Sequence, residues 1–413
     1  MKNFKTLFAV GIITAMLGLV SCTSDDEPTQ VEPLPDFPMT PAEHEIAQAQ
    51  SNFQIEMFAD MVKEVLSESS STDNLSFSPV NATIALSVLA NAADDENARK
   101  ISSLIGYDDL AALNAYNLRL NEYLPQQPEG NTLELANGIW YAKGLTLKPS
   151  FVETITSVYS STPAPVDFAL KETVDLINNW ASEKTHGLID HIVNVFSPET
   201  QMFLASALYY NGLWDMSFSE SETQDRVFHG INGDSNVPTM YRKGRYAYNR
   251  IDDGAEILKM PFKNNRVSFY VVLPPRESDV VEYASSFTSE KFNTMTGDMG
   301  FYDVKVYIPK YEYRDKISLD SYLLQKGLNI GSIGMTGAGI SGITPIATSQ
   351  DTYFRIDEKG VELAAVTSID TGAPTPPQHS EFRVDRPFIF FVREEKTGSI
   401  LMAGVMRNIP LSK

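Results

Sequence analysis

Cysteine is nearly absent from this sequence: Cys22 is the only one in 413 residues, so no disulfide can form within the chain. Basic charge is scarce as well. Thirty-three Lys and Arg stand against 53 Asp and Glu, a formal net charge of −20, and no cluster of cations interrupts the acidity along the chain. That balance argues against nucleic acid, heparin-like polymers and anionic lipid surfaces as partners. Histidine is limited to His44, His186, His191, His229 and His379. Only His186 and His191 stand close together, across Gly187, without acidic ligands at metal-binding spacing, so no metal site is expected. There is no G-x-S-x-G, no phosphate-cradling glycine loop and no H-E-x-x-H. Asp94-Asp95-Glu96 could pass for a paired-carboxylate site, but beside Asn97 and Arg99 it reads as a solvated turn at a helix end. The expectation is a protein that is not an enzyme and carries no cofactor.

Long apolar runs are missing too, except at the start. Lys2 and Lys5 precede the apolar stretch Leu7 to Val20, which ends in Leu19-Val20-Ser21-Cys22, the layout of an export signal. The stretch is too short to cross a hydrocarbon core of about 30 Å as a helix. Its "LVSC" ending resembles a bacterial lipoprotein signal, which implies that residues 1–21 are removed and that Cys22 carries the lipid, the link to a membrane. Residues 22–45, polar, acidic and proline-rich, read as a disordered tether. The acidic run after Cys22 resembles the pattern that sends lipoproteins of some Gram-negative bacteria to the outer membrane, exposed at the cell surface.

From Ile46 onward the chain reads as one folded body, 46–413, with 43% hydrophobic and 10% aromatic residues overall to supply a large core. Phe53, Met57, Phe58, Met61, Val62 and Val65 fall on one side of a helix. "SPVNATIALSVLANAA" has Pro79 at an entry position and almost no charge, which predicts a helix buried on most of its circumference. "VDLINNWASEKTHGLIDHIV" is helical to about Lys184 and breaks at Gly187. Strands are predicted for "NRVSFYVVLP", "DVKVYIPKYEYR", "FIFFV" and "SILMAGVM". The class is α+β with large, mainly antiparallel sheets.

The stretch "GVELAAVTSIDTGAPTPPQ", residues 360–378, carries two contradictory instructions. Val361, Leu363, Ala365, Thr367, Ile369 and Thr371 alternate with Glu362, Ala364, Val366, Ser368 and Asp370, a strand with its charges on one face. Pro374, Pro376 and Pro377 then deny any continuation of a ladder.

"RIDEKGVELAAVTS", which runs into that stretch, followed by "EFRVDRPFIFFVREEKTGSILMAGVMRNIP", resembles the hinge, reactive-centre loop and C-terminal strand pair of the serpins. Further matches follow in the family's order: "NLSFSPVNATIALSVLANAA", "ELANGIWYAKGLTLKPSFVETI", "INNWASEKTHGLIDHIV", "LASALYYNGLWDMSF", "ILKMPFKNNRVSFYVVLP" and "VKVYIPKYEYRDKISLDSYLLQKGL". The resemblance implies eight or nine helices packed on three sheets, with the loop exposed. It implies an inhibitor that acts as a suicide substrate: a protease cuts the loop, and the part before the cut inserts into the central sheet while the acyl-enzyme is still attached. The partners implied are serine proteases, held as a covalent acyl complex, with cysteine proteases as a second class, and the protein is expected to be a monomer.

Residue by residue, the resemblance makes Glu358, Gly360, Val361, Leu363, Ala364, Ala365 and Thr367 the hinge. The scissile region runs over Thr371, Gly372, Ala373, Pro374 and Thr375. The favoured bonds are Thr371–Gly372 and Gly372–Ala373, and Pro374–Thr375 would suit a proline-specific enzyme. Small residues there fit elastase-like or subtilisin-like targets. Ser78, Asn81, Ser206 and Gln350, with Trp214, are the implied cluster under the sheet opening; the family more often has a second Ser at Asn81, an Asn at Ser206 and a His at Gln350. A non-inhibitory serpin, acting as a binding or surface protein, is the alternative.

Overall fold

The computed structural model describes residues 36–67, 74–197, 199–341, 343–344, 346–360 and 380–410. Its folded body begins earlier than Ile46, which corrects the tether boundary at residue 45. Thr40 accepts a hydrogen bond from the Glu43 amide, and the Glu43 carboxylate accepts from the Thr40 amide at 2.8 Å. With Pro41 in the first turn, this capping box opens helix α1 (Pro41–Leu66) inside a segment whose prolines suggested disorder. Phe37 is 3% exposed, packed against the rings of Tyr116 and Tyr123, and the Arg119 guanidinium lies over it at 4.7 Å.

The first half continues with helices α2 (Pro79–Ala92), α3 (Asp95–Leu104), α4 (Leu110–Tyr123), α5 (Pro149–Tyr159) and α6 (Lys171–Lys184). Shorter helices follow at α7 (Val280–Ser285), α8 (Ser289–Gly297) and α9 (Asp320–Gln325). Ser78 caps α2 through its side chain, and no residue of α2 is exposed, as its uncharged sequence predicts. Asp94 is the N-cap of α3 and accepts from the Asn97 amide at 2.9 Å, so the acidic triple serves a helix start. α6 ends where expected: His186 and Gly187 have φ of 53° and 82°.

A nine-stranded sheet runs in the order β1 (Leu75–Phe77), β16 (Ile400–Met406), β15 (Phe388–Glu394), β8 (Val267–Leu273), β7 (Glu256–Pro261), β6 (Gly233–Arg250), β9 (Gly300–Pro309), β14 (Ser380–Arg383), with β5 (Gln224–Gly230) paired to β6. β8, β15 and β16 are buried almost throughout, which is why they read as unbroken apolar runs. A two-stranded ladder joins β11 (Ile333–Gly334) to β12 (Ile343–Thr344).

The five-stranded sheet matters most: β10 (Tyr311–Ile317), β13 (Ile346–Ile356), β4 (Met202–Asn211), β2 (Thr132–Ala142), β3 (Ala164–Val166). Met202, Leu204 and Leu208 on one face of β4 join the main core with α2. Phe203 and Ala205 on the other join Trp140, Ile177 and Ala181 under α6. Two hydrophobic layers therefore sandwich this sheet.

Candidate functional site

β4 and β13 are parallel neighbours, whereas β13 is antiparallel to β10 and β4 to β2. Their pairing covers only half their length. Ile346 to Asp351 pair with Met202 to Ala207, and from Thr352 and Leu208 onward the strands run unpaired. Between the separated halves lies a cavity of about 60 Å³ lined by Leu208, Tyr209, Tyr210, Asn211, Tyr353 and Arg355, and roofed by Thr185, Leu188 and Ile189. The sheet is zipped at one end and open at the other.

The roof is the segment that follows α6, and it is strapped down. Arg314 on β10 donates to the Asp190 carboxylate at 3.0 Å and to the His191 carbonyl at 2.9 Å. His186 contacts Glu134 of β2 at 3.0 Å and packs against the Tyr209 ring, while His191 contacts Asn178 at 3.1 Å. The two neighbouring histidines thus face separate polar partners.

At the open end the strands meet again through one residue. Gly360 forms antiparallel bridges with both Asp357, at the end of β13, and Leu213, just beyond β4. Its φ is +119°, and a Cβ there would stand 2.4 Å from the Gly212 carbonyl oxygen and 2.5 Å from the Trp214 amide nitrogen. Neither an L side chain's backbone preference nor its volume is accommodated. Gly360→Ala is therefore expected to lower stability by about 2 kcal/mol or more, from strain alone, read as a lower midpoint in urea unfolding. An unchanged midpoint would remove Gly360 from the hinge.

The hinge base is equally fixed. Glu358 is 5% exposed; its carboxylate takes a hydrogen bond from Thr223 at 2.8 Å and an ion pair with Lys310 at 2.9 Å. Burial alone would raise its pKa, but the Lys310 and Thr223 bonds outweigh it and hold the carboxyl below its usual range. Trp214 donates its indole N–H to the Asp357 carbonyl at 2.9 Å and stacks on Phe262 at 4.5 Å. Trp214 therefore belongs to the hinge end and not to the polar cluster where the sequence grouped it.

That cluster lies at the zipped end, under the last pairs. Gln350 accepts from the Ser78 amide at 2.8 Å, donates to the Ser78 carbonyl at 2.9 Å and reaches the Ser206 hydroxyl at 3.5 Å. One side chain thereby ties β13, β4 and the start of α2 together. Asn81 departs from expectation: its amide N–H donates to the Ser78 hydroxyl at 3.4 Å, but both polar atoms of its buried side chain are without a partner among the described residues. The remaining hinge positions Val361, Leu363, Ala364, Ala365 and Thr367, and the scissile region Thr371 to Thr375, lie outside the described residues, as does Cys22.

Sequence reasoning missed several residues here. Lys310, Thr223 and Arg314 carry no local signal, because their partners come from distant parts of the chain, and Arg355 was missed although its partner Asp357 is two residues away. Asp351 was missed too. It occupies the last zipped pair, is 2% exposed, accepts from Ser349 at 3.2 Å and lies 3.9 Å from Arg314. Burial raises its pKa, with Lys316, Ser349 and Arg314 pulling the other way. A carboxyl whose folded pKa is raised supports the fold fully below its unfolded value, about 4, and loses that support as pH rises through the folded one. Asp351→Asn should accordingly melt higher than the parent at pH 7, the gap closing as pH falls towards about 4; a gap that does not change with pH would contradict this assignment.

The comparisons with known proteins agree with this geometry. The serpin (serine protease inhibitor) family model matches residues 48–409. The chain belongs to the serpin family. It is 28% identical to leukocyte elastase inhibitor A of Mus musculus over 87% of this chain and 98% of that one. A serpin-like protein of Methanosarcina acetivorans is also 28% identical, over 89% of this chain and 87% of its own. Among solved structures, the thermophilic serpin tengpin in its native state superimposes with a TM-score of 0.80 at 26% identity, covering 92% of this chain and 97% of its own. Human thyroxine-binding globulin complexed with thyroxine reaches the same TM-score, 0.80, at 20% identity over 89% of this chain and 99% of its own, a likeness of fold alone. As a family, serpins inhibit serine proteases and are not themselves catalysts, although the family also has non-inhibitory members.

Proposed function

We propose that this serpin traps serine proteases as a suicide substrate, by inserting residues 361–371 between β4 and β13. The observation that carries the reading is the register around Gly360. Counting down β13 from the Asp357 bridge brings Thr367 opposite Gln350, and counting down β4 from the Leu213 bridge brings Thr367 opposite Ser206. Gln350 and Ser206 are already each other's partners. A strand continued from Gly360 therefore fits both walls without a slip.

Carried to its end, the same register sets Thr371 opposite Ile346 and Met202, the first residues of the two strands. The alternation also fits. Val361, Leu363 and Ala365 fall on the core side with Phe354 and Leu208, and Glu362 falls opposite Arg355. A third strand, antiparallel to both, would replace the parallel contact of β4 and β13.

In this mechanism the protease's own serine attacks the carbonyl of Thr371 or Gly372, expels the amine of the following residue and is left as an acyl ester. Insertion then carries the ester about 35 Å along the sheet, at roughly 3.3 Å per residue. Distorting the protease's oxyanion hole slows hydrolysis of that ester, since one donor alone accounts for roughly 10²–10³ in rate. Elastase-like and subtilisin-like enzymes are the targets that the small residues Thr371, Gly372 and Ala373 favour. Cys22, as a lipidated residue, would hold the inhibitor at the outer membrane, exposed at the cell surface.

Incubation with pancreatic elastase and with subtilisin, followed by denaturing electrophoresis, tests the reading. A band at the summed mass of inhibitor and protease is expected. Clean cleavage without that band would favour the non-inhibitory alternative.

A further inference from the structure

Arg226, on β5, is a cation without a carboxylate. Among the described residues its side chain has no ion pair or hydrogen bond, and its Nε is buried without a partner. Its guanidinium lies 4.8 Å from the centre of the Tyr307 ring on β9. A second guanidinium, that of Arg383 on β14, lies 4.2 Å from the same centre. Arg383 shares Glu381 with Lys305: the Arg383 Nη2 donates to that carboxylate at 2.7 Å and the Lys305 Nζ at 3.2 Å. Two guanidiniums from two strands thus share one ring, and of the two only Arg383 has a carboxylate partner among the described residues, in a protein whose net charge is −20.

Arg226 and Arg383 sit far apart in the chain, which is why no cationic cluster was visible in the sequence. They meet at an open cleft of about 390 Å³ that Asn236, Thr239, Val384, Asp225 and Asp385 also line. Asp385 at its rim is taken up by Arg386 at 3.3 Å and Arg276 at 3.5 Å. Thr239 spends its hydroxyl on the Val237 carbonyl, and Asn236 brings an amide donor.

We infer that this cleft binds a tetrahedral oxyanion, a sulfate or phosphate group, with Arg226 as its principal ligand. Two guanidiniums that line one cleft are like charges, and an anion bound in that cleft is attracted by both. A guanidinium fork matches two oxygens of such a group. A dianion answers two cations where a carboxylate answers one. Asp225 opposes binding from the rim, so the site discriminates through a balance of charges. The site is independent of the loop-insertion reading.

The test is calorimetric titration of the full chain with inorganic sulfate, inorganic phosphate, glucose 6-sulfate and glucose 6-phosphate, each against chloride at matched ionic strength. Saturable binding of one ion per chain is expected. Arg226→Gln should weaken it about tenfold or more, the scale of one charge-assisted pair, and Asp225→Asn should tighten it. Equal binding by the inorganic ions and the esters would assign the site to an ester-bearing sugar, and binding of the inorganic ions alone to the free anion. Sulfate also stabilises proteins by exclusion from their surface. If the parent and Arg226→Gln respond alike, or Asp225→Asn binds no more tightly, the inference fails.

Discussion

Cut between Thr371 and Ala373, the protein should melt far above the intact form. The open half of the β4/β13 gap leaves ladder groups of both strands unpaired, and the zipped half is held by six parallel pairs. A strand from Val361 to Thr371 would pair on both sides along the whole length, giving up those six pairs. At a net ~0.5–1.5 kcal/mol per hydrogen bond, together with burial of Val361, Leu363 and Ile369, the gain is on the order of 10 kcal/mol. For a domain of this size roughly 2 °C accompanies each kcal/mol, so a rise of ~20 °C is expected by calorimetry. A cut form that melts with the intact protein would show that no insertion follows cleavage. Under the proposed mechanism the intact form would persist because its barrier, and not its depth in free energy, protects it.

If residues 361–371 insert as proposed, Thr367→Arg should turn trapping into ordinary cleavage. The register puts residue 367 on the core side between Ser206 and Gln350, above the Ser78 turn that starts α2. A guanidinium there would enter a buried layer that offers no carboxylate opposite it, at a cost of several kcal/mol. Even about 3 kcal/mol added to the insertion barrier slows the step ~100-fold, and hydrolysis of the acyl ester then prevails. The ratio of cleaved to trapped inhibitor should rise accordingly on gels, with the cleavage rate itself unchanged. Pro376→Arg, beyond the inserted stretch, is the control and should trap as the parent does. Undiminished trapping by Thr367→Arg would refute the register.

Much of this was legible in the sequence because it is local. The break of α6 after Lys184 and the buried character of α2 each follow from a few adjacent residues, whereas Gly360 was singled out only by the family resemblance. What escaped was long-range. The Ser78–Gln350 bonds join residues 272 apart, and nothing near Lys310 announces Glu358 as its partner. Trp214 was grouped with the wrong end of the sheet for the same reason: its neighbours in space, Asp357 and Phe262, come from separate strands. The start of the folded body was obscured differently. Pro41 counts towards disorder in composition, yet at the first turn of a helix it needs no amide proton and fits without strain.

The anchoring of Phe37 has a mechanical corollary. If Cys22 carries the lipid, as proposed, only about fourteen residues separate it from the folded body that begins at Asp36, a contour of at most roughly 50 Å. If the proposed lipid and trapping roles hold, a trap moored in that way would guard a shell scarcely wider than itself and would meet proteases that come to the cell rather than those passing at a distance.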